Sequence, residues 1–433
     1  MRVAIALVLI AIAVAAAGAA AFAMLYYAPK PASPEGPASG GTSSAAVSST
    51  PPVSLEPQLG SDFRAELVAS DLSLPTSMAF VDGGSKLLVL EKETGQVMMV
   101  SSDGTKKQVL KLNVARGAEQ GLLGIAVSGS GREVFLYMTE ADAGGHVLGN
   151  RIYRYDWDGN SLSNPVMLLE LPAIPGPVHN GGKLEMDSRS GQLYAVIGDV
   201  NRLGGPLTNE QSGEIDDTSV IVRVDSEGRP PADNPFAGYS KKPFTYYFAY
   251  GVRNSFGMDF DPVTGKLWDT ENGPESYDEI NVVNSGFNSG WKKVMGPIAR
   301  SGHTESDLLQ LQGSHYLDPV FSWKSAIGVT DIEFFKSDKF GPEYKNNIFV
   351  GDYNAGDLYF FKVNAARDGL DLAGSVGDLV ADSYEESLEV RFGAFPGGIV
   401  DLETGPNDGY LYVLTFAGNL YRVVPAEATA ASG

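Results

Sequence analysis

The chain has 433 residues, a hydrophobic share of 43% and a formal net charge of -21. It can therefore bury a substantial core, while its acidity argues against binding a phosphate backbone. There is no cysteine and there are four histidines, which removes disulfides, thiolate nucleophiles, iron–sulfur clusters and Cys-ligated zinc and points any metal toward a hard cation such as calcium held by oxygens.

Val3 to Ala28 is an uncharged run behind Met1-Arg2, longer than the roughly 20 apolar residues a bilayer crossing needs. Ala21-Phe22-Ala23 resembles a signal-peptidase site, so a cleaved signal peptide competes with an uncleaved anchor. Tyr26-Tyr27 suits a membrane interface. Either reading exports the rest of the chain to the extracellular space or cell surface, with membrane contact through this segment only. The stretch 29–59 is mostly Pro, Ser, Gly and Ala and reads as a disordered tether, because it cannot bury enough apolar surface to fold. The expected organisation is an anchor or signal peptide over 1–28, a linker over 29–59, a folded domain over 60–425 and a disordered tail over 426–433.

Inside the domain one pattern recurs: a short apolar strand, a turn, then a second strand ending in small or polar residues. Ser77–Phe80 with Lys86–Leu90 carries it first, then Gly121–Val127 with Glu133–Tyr137, and Gly182–Met186 with Gln192–Ile197. Phe256–Phe260 with Lys266–Thr270 is the fourth, followed by Val329–Phe334 with Asn347–Val350 and Gly398–Leu402 with Tyr410–Leu414. Six units of one motif imply an all-β, six-bladed β-propeller, whose blades hold about four strands each. Two β-sandwich domains, the alternative, would not need the motif six times. The long spacings between units place insertions on the faces where propellers bind ligands.

Four groups of residues could carry chemistry. His179 lies in His-Asn-Gly-Gly-Lys, followed by Ile197-Gly198-Asp199. Imidazole accepts a proton near neutral pH, and a carboxylate on its other nitrogen would fix the tautomer, with Asp199 as candidate; a lone turn histidine is also often structural. Arg253-Asn254 offers a guanidinium suited to a carboxylate or quinone oxygen, or to a plain salt bridge. Glu271-Asn272-Gly273-Pro274 is a turn whose carbonyls could face a hard cation, with Asp278 either orienting the loop or standing behind the cation. Glu119-Gln120, before Gly121-Leu122-Leu123-Gly124, could contact a ligand or simply turn the chain.

The ordered motifs R-N-x-x-G, D-P-x-T-G-K-L-W, E-x-G-P and D-E-I-N between Arg253 and Asn281, with H-x-G-G-K-L and I-G-D upstream, resemble the quinoprotein sugar dehydrogenases, the soluble glucose dehydrogenase and aldose or sorbosone dehydrogenase family. The resemblance runs over roughly 65–423. It implies a six-bladed propeller that binds pyrroloquinoline quinone with calcium beside it. It also implies that His179 is the general base and Asp199 its partner. Arg253, Asn254 and Asn272 match cofactor contacts, and the cofactor-contacting Gln expected before Gly121-Leu122-Leu123-Gly124 appears as Glu119 unless Gln120 takes its place. Gly273 and Pro274 match the calcium-binding turn and Asp278 the acidic residue after it. The pattern departs from the family late in the chain. The family's R-x-R-D arginines are replaced by the run from Ala394 to Asp401, and Asn354 stands where a lysine is expected. Lys324 and Arg391 are the candidate replacements.

The expected function is oxidation of an aldose or related sugar, with electrons passed to an external acceptor, since no haem-attachment cysteines exist. The alternatives are a non-catalytic propeller that binds glycans or proteins, and a calcium-dependent lactone hydrolase.

Overall fold

The computed structural model describes residues 56–426 except 203, 211–212 and 240–242. The expected anchor, most of the linker and residues 427–433 lie outside the described residues. Among the described residues, no helix is long and apolar enough to cross a membrane.

The domain is an all-β propeller built from six sheets of four to six strands. The innermost strands are Pro75–Val81, Leu122–Val127, Leu184–Asp187, Gly257–Phe260, Val329–Phe334 and Ile399–Thr404. Each neighbours the next, and the last neighbours the first, so they close a ring around a central channel. These are the strands that open the six sequence motifs. Blades one to six are numbered from Pro75.

Blade faces stack on one another, so most strands are buried on both sides. Lys86–Glu91 and Val220–Val224 are accordingly near-continuous apolar runs rather than alternating ones. Large rings fill the space between blades four and five, where Trp323 packs edge-on against Phe321 at 4.8 Å and Trp268 against Phe334 at 5.6 Å. The turn at 261–265 forms as its residues dictate: Asp261 accepts from Val263 N at 2.9 Å and Thr264 Oγ1 at 2.6 Å.

Closure uses the start of the chain. Phe63–Ala69 pairs antiparallel with Leu420–Pro425 and completes blade six, so hydrogen bonds between the two ends of the domain hold the ring shut. The linker ends earlier than expected: Gln58 and Leu59 already pair with Ala394 and Gly393 as an edge strand of blade five. At the other end, Ala426 N donates to Asp62 O at 2.8 Å.

Blade three carries an addition that strand patterning did not indicate. The chain leaves blade four after Val283, adds Phe287–Asn288 and His315–Tyr316 in parallel to the edge of blade three, then returns to blade four at Phe321–Trp323. This excursion brings residues 289–292 against the chain at 208–209 and 250–251.

Candidate active site

Within each blade the second strand ends, and the fourth strand hands over to the next blade, at one end of the channel. The loops 112–121, 172–183, 198–219, 251–256, 272–277 and 324–328 therefore gather there; His179, Asp199, Arg253, Asn254, Asn272, Gly273, Pro274, Glu119 and Gln120 lie on them, while Asp278 begins the strand Asp278–Val283 that follows one of them.

His179 and Asp199 meet directly. Nδ1 of His179 is 2.6 Å from Asp199 Oδ1, which also accepts from Asn201 N at 2.8 Å. The Asp199 side chain is 3% exposed and that of His179 13%, so the carboxylate is enclosed while the imidazole keeps an open edge. Burial pushes the Asp199 carboxyl up, but the hydrogen bond and charge of His179, with the Asn201 N–H and the Trp291 indole, hold it below the usual carboxylate value. An ionised Asp199 accepts at Nδ1, which assigns the proton there and leaves Nε2 as the basic nitrogen.

The backbone around the pair is strained. His179 has φ 60°, and Val200, a β-branched residue, has φ 44°. Val200 N donates to His179 O at 3.1 Å, so each holds the other in the left-handed region. Gly198 explains the Ile-Gly-Asp motif: a Cβ there would lie 2.5 Å from Arg253 O and 2.6 Å from His179 O.

Arg253 sits beside the pair. Its carbonyl accepts from Asp199 N at 2.9 Å, its own N–H donates to Glu271 Oε1 at 2.6 Å, and its guanidinium NH1 donates to Asn272 O at 3.0 Å. Its Nε is buried with no hydrogen-bond partner. Glu271 is fully enclosed and pushed up to about 7, mainly by burial.

Other residues hold the frame. Glu119 Oε2 accepts from His179 N at 2.6 Å and from Asn254 Nδ2 at 3.1 Å, and Asn254 Oδ1 accepts from Gly181 N at 3.0 Å. Both therefore lock the His179 loop to blades two and four. Gln120 is buried against the 172–177 loop, its Nε2 lying 3.1 Å from where a Cβ on Gly176 would be. Asn272 Nδ2 donates to Val329 O at 2.8 Å, while Asn272 Oδ1 is buried and unpartnered. Asp278 is a clamp: Oδ1 accepts from Gly273 N at 2.9 Å, and Oδ2 from Ile327, Gly328 and Val329 N at 2.9, 2.7 and 3.0 Å. Gly273 is required at its turn, where a Cβ would lie 2.5 Å from Tyr277 O. Pro274, beside it, is exposed.

The wall contributed by blades five and six carries no cation among residues 394–398. Asn354 is exposed and packs on Gly328, and Tyr353 meets Phe416 edge-on at 5.3 Å. Lys324 pairs with Asp382 at 3.0 Å, and Arg391 Nε with Asp357 Oδ1 at 3.1 Å, so each candidate replacement is already engaged by a carboxylate.

Trp291, which motif reading passed over, donates its indole N–H to Asp199 Oδ2 at 2.9 Å and lies under the Arg253 guanidinium at 5.3 Å from the ring centroid. Its only sequence signal is a tryptophan after glycine at the end of the densest polar stretch.

A cation and an anionic cofactor both find partners here. The unpartnered Arg253 Nε suits an anionic oxygen, and the unpartnered Asn272 Oδ1, next to the Gly273-Pro274 turn, is a donor that a hard cation takes. Among the described residues, no group of three or more His, Asp or Glu is arranged to hold a metal. A cation would therefore depend on amide and carbonyl oxygens and on the ligand itself.

Comparison with known proteins agrees with this geometry. Residues 72–422 match the Glucose / Sorbosone dehydrogenase family. An aldose sugar dehydrogenase of Escherichia coli K12 is 31% identical over 259 residues, which span 59% of this chain and 62% of that protein. Quinoprotein glucose dehydrogenase B of Acinetobacter calcoaceticus is 28% identical over 56% of this chain and 55% of that protein. The solved apo form of a soluble aldose sugar dehydrogenase from E. coli superposes with a TM-score of 0.65 at 25% identity, over 84% of this chain and all of that one.

Proposed function

Because the chain belongs to the glucose/sorbosone dehydrogenase family, we propose that it oxidises an aldose or related sugar, with pyrroloquinoline quinone as the bound cofactor and calcium beside it. The observation that carries the reading is the 2.6 Å contact between His179 and Asp199, with a free imidazole edge at a channel mouth. A binding-only propeller has no use for a buried carboxylate aimed at a partly open imidazole. The relatives named as a sugar dehydrogenase and as a quinoprotein support the substrate class and the cofactor.

When bound, the quinone supplies the hydride acceptor. His179 Nε2 takes the proton from the sugar hydroxyl, and Asp199 stabilises the imidazolium that results. Arg253 and Asn272 would hold the cofactor. Asn272 Oδ1 with the Gly273 and Pro274 carbonyls would face the cation. Glu119 and Asn254 keep His179 in place. The apolar run Val3 to Ala28 supports an extracellular or cell-surface location, and the absence of cysteine supports electron transfer to a separate acceptor.

Calorimetric titration of the protein with pyrroloquinoline quinone, with and without calcium, tests the reading. Micromolar or tighter binding that requires calcium is the expected result. No binding by the folded protein would overturn the cofactor. It would favour the second reading, a propeller that binds glycans or proteins, which the uncharged wall at Asn354 and 394–398 supports.

A further inference from the structure

The four tryptophans have different surroundings. Trp268 and Trp323 are core residues whose indole nitrogens are buried without partners, and Trp157 donates to Asp82 Oδ1 at 2.8 Å across the first two blades. Trp291 is half-buried and belongs to none of the apolar clusters that make up the core of the described residues. Its polar edge and its ring face are each engaged by a different part of the site. Packing alone does not account for it.

Its own placement is fixed by backbone hydrogen bonds from the neighbouring loops. Trp291 N donates to Gly251 O at 3.0 Å, and Trp291 O accepts from Asn209 Nδ2 at 2.7 Å. Asn209 and Asn288 exchange two amide hydrogen bonds, at 2.9 and 3.0 Å, and Lys292 N donates to Thr208 O at 2.7 Å. The excursion out of blade four and the 198–219 loop of blade three thus present the indole at a set position.

We infer that Trp291 is a positioning residue for both halves of the site: its N–H holds Asp199 Oδ2 so that Oδ1 stays on His179 Nδ1, and its ring seats the Arg253 guanidinium. The inference rests on the reading of His179 as the base. The carboxylate has two oxygens, and either could rotate onto the imidazole or leave it. With Oδ2 tied to the indole and Oδ1 shared by His179 and Asn201, rotation breaks three hydrogen bonds at once. His179 then keeps its proton on Nδ1 and its lone pair on Nε2. A guanidinium over an indole face gains from the negative face of the ring. That contact fixes the side chain while leaving the buried Nε without a protein partner. One residue thereby sets the distance between the proton acceptor and the cation that would receive an anionic cofactor.

The test is nitrogen NMR of the full-length apoprotein, comparing wild type with Trp291→Phe and Trp291→Leu. The His179 signals are assigned by their loss in His179→Gln. Phenylalanine keeps a ring and loses the N–H; leucine loses both. The expected result is a neutral His179 protonated on Nδ1 in wild type and a mixture of the two tautomers in both variants. The Arg253 Nε–H resonance should keep its ring-shifted position in Trp291→Phe and lose it in Trp291→Leu. An unchanged tautomer in Trp291→Phe, or an Arg253 resonance that does not differ between the two variants, overturns the inference. Should the variants not fold, the Trp291 indole N–H resonance is compared between wild type and Asp199→Ala. A shift sustains the link and an unmoved resonance refutes it. All of these readouts use the apoprotein, so they stand even if the quinone titration fails.

Discussion

Asp199 and Arg253 are joined through the backbone: the Asp199 N–H donates to the Arg253 carbonyl at 2.9 Å. The same aspartate grips His179 through its side chain. Proton acceptor and cation are therefore parts of one rigid assembly that spans blades three and four, with Gly198 at the crossing.

Replacing Asp199 by asparagine should leave the fold intact and cost turnover by about 10²–10⁴-fold, because a neutral amide does not stabilise an imidazolium and its NH2 can donate to Nδ1 and reverse the tautomer. His179→Gln should lose at least as much. Steady-state sugar oxidation with an artificial electron acceptor measures both. Turnover of His179→Gln at the wild-type rate would remove histidine from the mechanism.

Gly198→Ala places a methyl 2.5 Å from one carbonyl and 2.6 Å from another. Both carbonyls belong to site residues, so the strain moves His179 and Arg253 apart. A stability loss of about 1–3 kcal/mol is expected in denaturant unfolding, with a loss of activity larger than the loss of folded protein.

Asp278→Ala removes a carboxylate that accepts four backbone N–H groups from Gly273, Ile327, Gly328 and Val329. Each buried orphan costs about 1–3 kcal/mol, less whatever water recovers, so the substitution should be strongly destabilising. Calcium affinity, read by calorimetry at a temperature where the variant is folded, should fall with it, because the Gly273 turn loses its clamp.

Stability should also depend on pH in a particular direction. Burial is the main cause that pushes Glu185 and Glu333 up to about 8 and Asp352 up to about 7. Unfolded carboxylates titrate near about 4. Between roughly pH 4.5 and 8 the folded state therefore holds protons that the unfolded chain has released, and stability falls as pH rises through that window. Asp199, held low, acts the opposite way but only below about pH 4. The melting temperature should be higher at pH 5 than at pH 8, and Asp352→Asn should flatten the slope. A melting temperature that rises from pH 5 to pH 8 would contradict these shifts.

Much of the molecule was legible in local sequence. The six strand–turn–strand motifs correspond to the first two strands of six sheets, because a strand buried on both faces writes its apolar run directly into the chain. His179 and Asp199 could be paired on the page because both flank one blade motif. The Asp261 turn was equally plain. Glu119, Asn254 and Asp278 were harder. Their residue types suit ligand contacts, but the folded chain engages their polar atoms in holding loops together, and sequence does not show which neighbour reaches an amide first.

By itself the sequence determined the first two strands of each blade and the turns between them, which depend on residues within a few positions of one another. Tertiary structure alone decided three other features. The strand Phe63–Ala69 closes blade six, the chain from Val283 to Phe321 detours along blade three, and Trp291 consequently meets Asp199 and Arg253. These contacts join segments far apart in sequence and depend on how blades stack and where an insertion returns, and a residue's local pattern carries no record of either.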